Sequence, residues 1–304
     1  MPPADADNQP NPEQDRDEIR NVRRILRMVQ AHLTRSHLAA GAIRETLNMV
    51  EVFHHPTNPA AHLNYVSPRQ NTAWVSSAHL KAGLAHLRSY ERTPRVSYIE
   101  GLYPPQIAKA LRELNLKLES ETPIAVYSRE GVNGQIPPLP DVPLMPLHVR
   151  VEAVTDQTGM EKWWYAYRNA FFDVPTLGID PQIVSRDLAE FQAGRQLDYL
   201  LYQHEHPAGV ARITLHGETA QLAVLTVIRE SRIPPILRSL QSMALYGALA
   251  KGAVLVFAQH ETDAERHLGR TLGFIDFGSA VCYSDPNATR EDSDAPVEQP
   301  LLSD

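Results

Sequence analysis

Residues 199–228 read YLLYQHEHPAGVARITLHGETAQLAVLTVI, and this stretch decides the fold. Its apolar residues group into three segments that predict β-strands, at 199–203, 210–215 and 219–228. His206-Pro207-Ala208-Gly209 separates the first two segments and Gly217 separates the second from the third, so both predict turns. We therefore expect an antiparallel meander that ends in a long strand.

The chain after this meander alternates between helical and strand patterns. A helix, a strand, a short helix and a last strand are predicted at about 234–251, 253–259, 262–272 and 274–283. This order resembles the acyl-CoA-binding half of the GNAT (GCN5-related N-acetyltransferase) superfamily. The resemblance implies an α/β fold with a mixed central β-sheet flanked by helices.

The preceding part of the chain resembles a second, reduced copy of the same unit. Leu114-Asn115-Leu116 aligns with Leu272-Gly273-Phe274 at an offset of 158 residues, and both stretches follow a strand and a short helix. Asn and Gly both tolerate the left-handed backbone that closes a helix before a strand. We expect two GNAT-like domains, of which the first is truncated and lacks its opening strands.

Composition suggests where the domains begin and end. Both ends of the chain are rich in acidic residues, and a run with five prolines in ten residues lies in the middle. The predicted division is a disordered acidic tail at 1–18, a reduced GNAT-like domain at 19–128, a Pro-rich linker at 129–146, a GNAT-like domain at 147–284 and a second disordered tail at 285–304.

The net charge of −7 comes from the two predicted tails, because the body between them has 27 basic and 24 acidic side chains. No dense basic stripe predicts nucleic-acid binding, and no apolar run is long enough for a membrane span. Cys282 is the only cysteine, which fits a cytoplasmic location, and its strand context predicts a buried, inert thiol. The sequence does not address the oligomeric state.

The resemblance implies where acetyl-CoA would bind. Backbone N–H groups of the long strand, at Leu225, Thr226 and Val227, would hold the pantetheine arm. The turn before the next helix would hold the pyrophosphate, and the positions of the family pattern fall on Ser231, Arg232 and Ile236. The family has glycines in this turn, whereas this chain has Pro234-Pro235, and proline supplies no N–H donor.

The acid and base positions of the family are also changed. Asp263 stands where the family has Asn at the start of the second helix, Gly269 stands at the position of the proton-donating Tyr, and Gln221 stands at that of a frequent Glu base. Glu218 and Tyr283 are weak substitutes.

The histidines give no metal-ligand spacing, so no metal site is predicted. We expect solvated histidines in turns and loops at three places: His204-Glu205-His206, His54-His55 and His260-Glu261.

Two functions follow as expectations. The first is transfer of an acetyl group from acetyl-CoA to the amine of a small molecule or a peptide. The alternative is a catalytically inactive GNAT-fold protein that binds a ligand or a protein partner. The aromatic residues predicted on the helix after the linker would serve the core, the contact between the halves or the wall of an acceptor pocket; they are Trp163, Trp164, Tyr165, Tyr167, Phe171 and Phe172.

Overall fold

The computed structural model describes residues 12–70, 72, 74–131, 145–172, 178–260 and 262–286. Within these ranges the helices are α1 (Pro12–Ala39), α2 (Ser77–Ser89), α3 (Gln106–Glu113), α4 (Gln157–Phe172), α5 (Pro181–Gln192), α6 (Pro234–Ala250) and α7 (Asp263–Thr271). The strands are β1 (Ile43–Leu47), β2 (Val50–His54), β3 (Tyr65–Pro68), β4 (Arg95–Ile99), β5 (Lys117–Ser128), β6 (Val149–Ala153), β7 (Gln196–Gln203), β8 (His206–His216), β9 (Thr219–Val227), β10 (Leu255–Gln259) and β11 (Ile275–Ser284). We refer to 12–131 as the N-terminal half and to 145–286 as the C-terminal half.

All of these strands belong to one mixed sheet with the order β1-β2-β3-β4-β11-β5-β10-β9-β8-β7-β6. The last strand of each half is inserted into the other half: β11 lies between β4 and β5, and β5 lies between β11 and β10. The predicted α/β class and mixed sheet are therefore confirmed, but the two halves share a single continuous sheet rather than forming one sheet each.

The internal repeat is visible in the backbone. In each half a short helix, α3 or α7, leads into the exchanged strand through a residue with positive φ, which is 56° at Asn115 and 87° at Gly273. These two residues are the pair matched in the sequence, and their left-handed conformation is the physical reason for the match.

The helices cover both faces of the sheet. Alternate residues of β5 point to opposite sides: Ala125 and Tyr127 belong to the core beneath α6, whereas Ile124 and Val126 belong to the core beneath α1. The centre of the sheet is thus buried on both faces, as expected for strands that read as apolar runs.

One boundary differs from the sequence prediction, and two others lie mostly outside the described residues. Helix α1 begins at Pro12, inside the predicted tail of 1–18, while residues 1–11 lie outside the described part of the chain. The predicted linker and the C-terminal tail also fall mostly outside it, at 132–144 and 287–304.

The N-terminal half contains a hairpin, β1–β2, that the sequence analysis does not predict. The expectation that this half lacks its opening strands is therefore wrong, although it still has fewer strands than the C-terminal half in the described ranges. Strand β1 is the outer strand of the sheet and is mostly exposed; its three central side chains, at 44–46, are polar, so it shows no apolar alternation.

The turn between β7 and β8 lies at His204-Glu205 rather than at His206–Gly209. His204 has a φ of 56°, and Pro207 already pairs with Tyr202 next to a register shift. Gly209 lies within β8, where a Cβ atom would come within 3.0 Å of the Thr226 carbonyl oxygen. The glycine marks a close approach of two strands and not a turn.

A buried ion cluster ties α4 and α5 to the sheet. Arg212 Nε lies 2.7 Å from Asp198 Oδ1, and Nη2 lies 2.6 Å from Asp187 Oδ2. Its guanidinium carbon also lies 4.1 Å above the ring of Trp163, and Trp164 Nε1 donates to Asp187. Both carboxylates are buried and the Arg212 side chain is 13% exposed, so each charge depends on the others for much of its solvation.

Helix α1 brings a buried histidine to the sheet. His32 is 1% exposed, and its Nδ1 and Nε2 atoms lie 2.9 and 3.0 Å from the hydroxyl oxygens of Thr219 and Thr214. Burial lowers the pKa of His32 to about 3, and the charge of His216 adds to this effect. The imidazole is therefore neutral in the folded protein.

Because His32 is neutral when the protein is folded, we expect the free energy of unfolding to fall in acid. Below pH 6.5 the unfolded chain binds a proton at His32 that the folded protein rejects, so stability falls from pH 6.5 towards pH 3, with a slope of up to about 1.4 kcal/mol per pH unit. Because burial also lowers the pKa of His37, His32→Gln should flatten only part of the fall. Denaturant unfolding between pH 4 and 7 measures the slope. An unchanged slope in His32→Gln, or the same flattening in the exposed control His206→Gln, would contradict this account.

Candidate functional site

The parallel pairing of β9 with β10 ends before either strand does. Its last pair is Leu222 with Ala258, and the remaining residues of β9 have no partner on that side. Ala223 is exposed and the three residues after it are half-buried, although β9 lies inside the sheet. The two strands therefore leave a gap between their carboxyl ends.

The residues whose backbone faces this gap can be derived from the ladder. The Ile228 N–H donates to the Ala208 carbonyl of the β8 side at 2.8 Å, and bonding alternates along an antiparallel pair. Thr226 is therefore turned towards β8, whereas Leu225 and Val227 point their N–H groups into the gap. Of the three predicted backbone donors, the structure places two at the open edge.

The start of α6 offers no amide donor to an anion. Pro234 and Pro235 have no N–H. The Ile233 N–H donates to the Ser231 carbonyl at 2.8 Å, and the Ile236 N–H donates to the Ile233 carbonyl at 3.1 Å. The Ser231 hydroxyl is also occupied, because it donates to the side chain of Gln203. The predicted pyrophosphate positions 231 and 236 are thus adjacent to the gap but already bonded within the protein.

The Arg232 side chain is hydrogen-bonded to two backbone carbonyls, and we call this contact the Arg232 clamp. Its Nε donates to the Val227 carbonyl at 3.1 Å and its Nη2 donates to the Ala170 carbonyl at 2.6 Å. The side chain thereby joins the end of β9 to the last turn of α4. A guanidinium with two backbone partners is held in place and retains only part of its donors for a ligand.

His260, directly after β10, is the residue of this region that the sequence analysis misread. It is 4% exposed rather than solvated, and its Nδ1 atom has no hydrogen-bond partner. Burial lowers the pKa of His260, so its imidazole is neutral at pH 7. His260 comes two residues after Ala258, the last residue of β10 that pairs with β9, and its N–H donates to the Pro123 carbonyl of β5 at 3.0 Å.

His260 explains the glycine at the family's tyrosine position. A Cβ atom on Gly269 would lie 2.8 Å from Cε1 of His260, so the imidazole occupies the space that a side chain at 269 would need. The glycine at 269 and the buried histidine at 260 therefore depend on each other sterically. Two features of the sequence could have indicated this contact. Gly269 stands where the resembled family has a tyrosine, and a histidine directly follows the preceding strand.

The other predicted residues are not brought to the gap. Glu218 is exposed in the turn before β9, seven residues from Leu225 or roughly 23 Å along the strand. Tyr283 packs in the core of the N-terminal half and stacks on Tyr98 with ring centres 6.2 Å apart. Asp263 lies at the first turn of α7 with its side chain 98% exposed and within 3.4 Å of Arg266.

The aromatic residues of α4 differ in burial, and Tyr165 and Tyr167 are half-buried. Trp163 and Trp164 are buried and serve the core, as expected for part of this set. Phe171 and Phe172 are 60% and 39% exposed, and they follow Ala170, whose carbonyl binds the Arg232 clamp. An apolar surface therefore borders the end of β9.

Other chemistry is limited in the part of the chain that is described. No group of three or more His, Cys, Asp or Glu side chains in the described residues is arranged to hold a metal ion. None of the described helices combines the length and apolarity required to cross a membrane. Cys282 lies in β11 as predicted, half-buried, and burial raises the pKa of its thiol to about 12, which disfavours the reactive thiolate.

Comparison with solved structures identifies the fold. The chain superposes on a GCN5-related N-acetyltransferase from Kribbella flavida with a TM-score of 0.64 and 16% identity, over 87% of this chain and 95% of that one. The chain has the GNAT fold. A GCN5-related N-acetyltransferase from Sphaerobacter thermophilus matches with a TM-score of 0.52 and 16% identity, over 79% of this chain and 81% of that one.

A tandem GNAT protein from the clavulanic acid biosynthesis pathway matches with a TM-score of 0.53 and 13% identity, over 77% of each chain. No protein-family profile matches the sequence. No curated protein matches it either. At these identities the GNAT likeness establishes the fold, and the chemistry has to be argued from the site.

Proposed function

We propose that the C-terminal half transfers an acetyl group from acetyl-CoA to a primary amine at the gap between β9 and β10. The observation that carries this proposal is the open edge at Leu225 and Val227, where backbone N–H groups face an unpaired space inside the sheet. Such an edge can bind an extended, amide-containing arm in the way an additional strand would bind.

The residues around the gap have separate roles in the proposed reaction. The open edge of β9 holds and orients the pantetheine arm. The neutral imidazole of His260 takes the proton that the amine nitrogen loses as its lone pair forms the new bond to the carbonyl carbon. The carbon–sulfur bond breaks, and the protonated imidazole can return this proton to the departing sulfur. The exposed faces of Phe171 and Phe172 border the space for an apolar part of the acceptor.

The phosphates of acetyl-CoA fit this chain less well than its pantetheine arm. Amide donors are missing at the start of α6, and Arg232 is held by two carbonyls. Arg238, one turn into α6, has an exposed side chain that can still contact a phosphate. We therefore expect binding in the high micromolar to millimolar range, on the order of 4–6 kcal/mol.

Restoring the missing amides provides a test. The double variant Pro234→Gly/Pro235→Gly returns two N–H groups to the positive end of α6 and should tighten acetyl-CoA binding about tenfold or more. Calorimetric titration measures the change, and thermal unfolding confirms that both proteins are folded. Unchanged affinity in a folded double variant would mean that the phosphates do not lie at this helix.

The amide groups at the start of α6 already donate to carbonyls within the protein, and this observation favours a second, non-catalytic function. A GNAT-fold protein that retains the gap but does not bind the acyl donor would act as a ligand-binding or interaction module. For such a module we expect no rise in thermal stability at millimolar acetyl-CoA. For the proposed acyltransferase we expect a rise that saturates with acetyl-CoA concentration.

A further inference from the structure

A cavity of about 410 Å³ lies in the N-terminal half, away from the gap described above. It is enclosed by α1 and by the segments that follow β3 and β4, and its polar lining consists of Arg23, Arg27, Gln30, Gln70, Thr72 and Tyr103. Its volume is within the usual range for small-molecule sites.

Two of the lining side chains are unpaired cations. Arg23 and Arg27 lie one turn apart on α1, and neither has a hydrogen bond or ion pair with any described residue. Their neighbour Arg24, in contrast, bonds Asn21 and pairs with Glu130 at 3.0 Å. Two guanidinium groups on one wall of a concave site favour an anion.

Two further polar groups of the lining, one on α1 and one after β4, are held in place. Gln30 Nε2 donates to the Tyr103 hydroxyl at 2.7 Å, and this hydroxyl donates to the Pro68 carbonyl at 2.8 Å. Burial raises the pKa of Tyr103, so its hydroxyl stays protonated and adds no negative charge. Glu51 on β2 acts electrostatically on Tyr103, but none of the described residues that line the cavity carries a carboxylate.

We propose that this cavity binds a small phosphate-bearing metabolite, with Arg23 and Arg27 on its phosphate group and with Gln30, Gln70 and Thr72 on its polar remainder. A phosphomonoester carries about 1.5 to 2 negative charges at pH 7, which matches two unpaired guanidinium groups better than a single carboxylate does. Guanidinium groups also bind phosphate oxygens in pairs. The site is separate from the proposed acyl transfer and does not depend on it.

Calorimetry and thermal unfolding in a low-salt, phosphate-free buffer test this proposal, with inorganic phosphate, a hexose phosphate, adenosine monophosphate and acetyl-CoA as probes. We expect saturable binding of at least one of the two organic phosphates, weakened roughly tenfold to hundredfold in Arg23→Gln/Arg27→Gln. The control Lys81→Gln/Arg112→Gln changes the net charge equally, at exposed positions on α2 and α3, and should bind like the natural protein.

Three outcomes would overturn the proposal. They are the absence of saturable binding by either organic phosphate, equal weakening in the two double variants, and binding at Arg23 and Arg27 by acetyl-CoA alone. The last outcome would assign the cavity to the acyl donor rather than to a free metabolite.

Discussion

Replacing Arg212 by methionine is expected to lower the free energy of unfolding by about 3–5 kcal/mol. The substitution leaves Asp198 buried without a cation at 1% exposure, and it leaves Asp187, at 2% exposure, with only the exposed Arg186 at 3.2 Å. Burial already raises the pKa of Asp198, and removal of the guanidinium would raise it further. Denaturant unfolding at pH 7 measures the effect.

Arg150 provides a matched control on the same sheet. Its guanidinium lies 4.0 Å above the ring of Tyr202 and pairs with two carboxylates, Glu152 and Glu205, as Arg212 does. These carboxylates are exposed, so Arg150→Met should cost less than about 1 kcal/mol. Adding Asp187→Asn and Asp198→Asn to Arg212→Met should recover part of the loss. Equal losses at the two arginines would contradict the importance of burial in this cluster.

The replacement of His260 by asparagine is expected to reduce kcat/KM about 10²- to 10⁴-fold in an acetyl-CoA-dependent assay with primary amines. The proposed base is neutral at pH 7 because burial lowers its pKa, so activity of the natural protein should persist below pH 6.5 before it declines. The variant should lose this pH-dependent decline along with most of its rate. Release of the free thiol of CoA measures both quantities.

His267 is the control for this variant, because it is an exposed histidine on the neighbouring helix α7. His267→Asn should retain the rate and the pH profile of the natural protein. Thermal unfolding separates a catalytic loss from a folding defect in both variants. A His260→Asn protein that keeps the natural pH profile would exclude His260 as the base, even if its rate is reduced.

The sequence predicts the C-terminal half well because its signals are local. The run from 219 to 228 is apolar, Gly217 closes the turn before it, and two prolines begin the helix after it, so β9 and α6 are found within one or two residues. The same local chemistry misplaced the turn at 206–209, because Gly209 is required by contact with Thr226 on the next strand.

Features that depend on distant contacts could not be predicted in this way. The exchange of β5 and β11 between the halves brings together residues about 150 positions apart, and only the weak match between Asn115 and Gly273 hinted at two equivalent units. His260 looked like a loop residue because its burial comes from packing against Gly269 and Phe274 in tertiary structure. The open edge of β9 could not be predicted either. It consists of backbone N–H groups, and many different apolar sequences can present such groups.

The most direct test of the proposed site is a calorimetric titration of acetyl-CoA into the natural protein, Leu225→Pro and Leu225→Ala. Proline removes the N–H that faces the gap, and this N–H takes no part in the ladder with β8, so the fold should be retained. Alanine shortens the same side chain but keeps the N–H.

We predict saturable binding to the natural protein, similar binding to Leu225→Ala, and a loss of about tenfold or more in Leu225→Pro. No binding to the natural protein at millimolar acetyl-CoA, or equal binding to Leu225→Pro and Leu225→Ala, would contradict the proposal that the open edge of β9 holds the acyl donor.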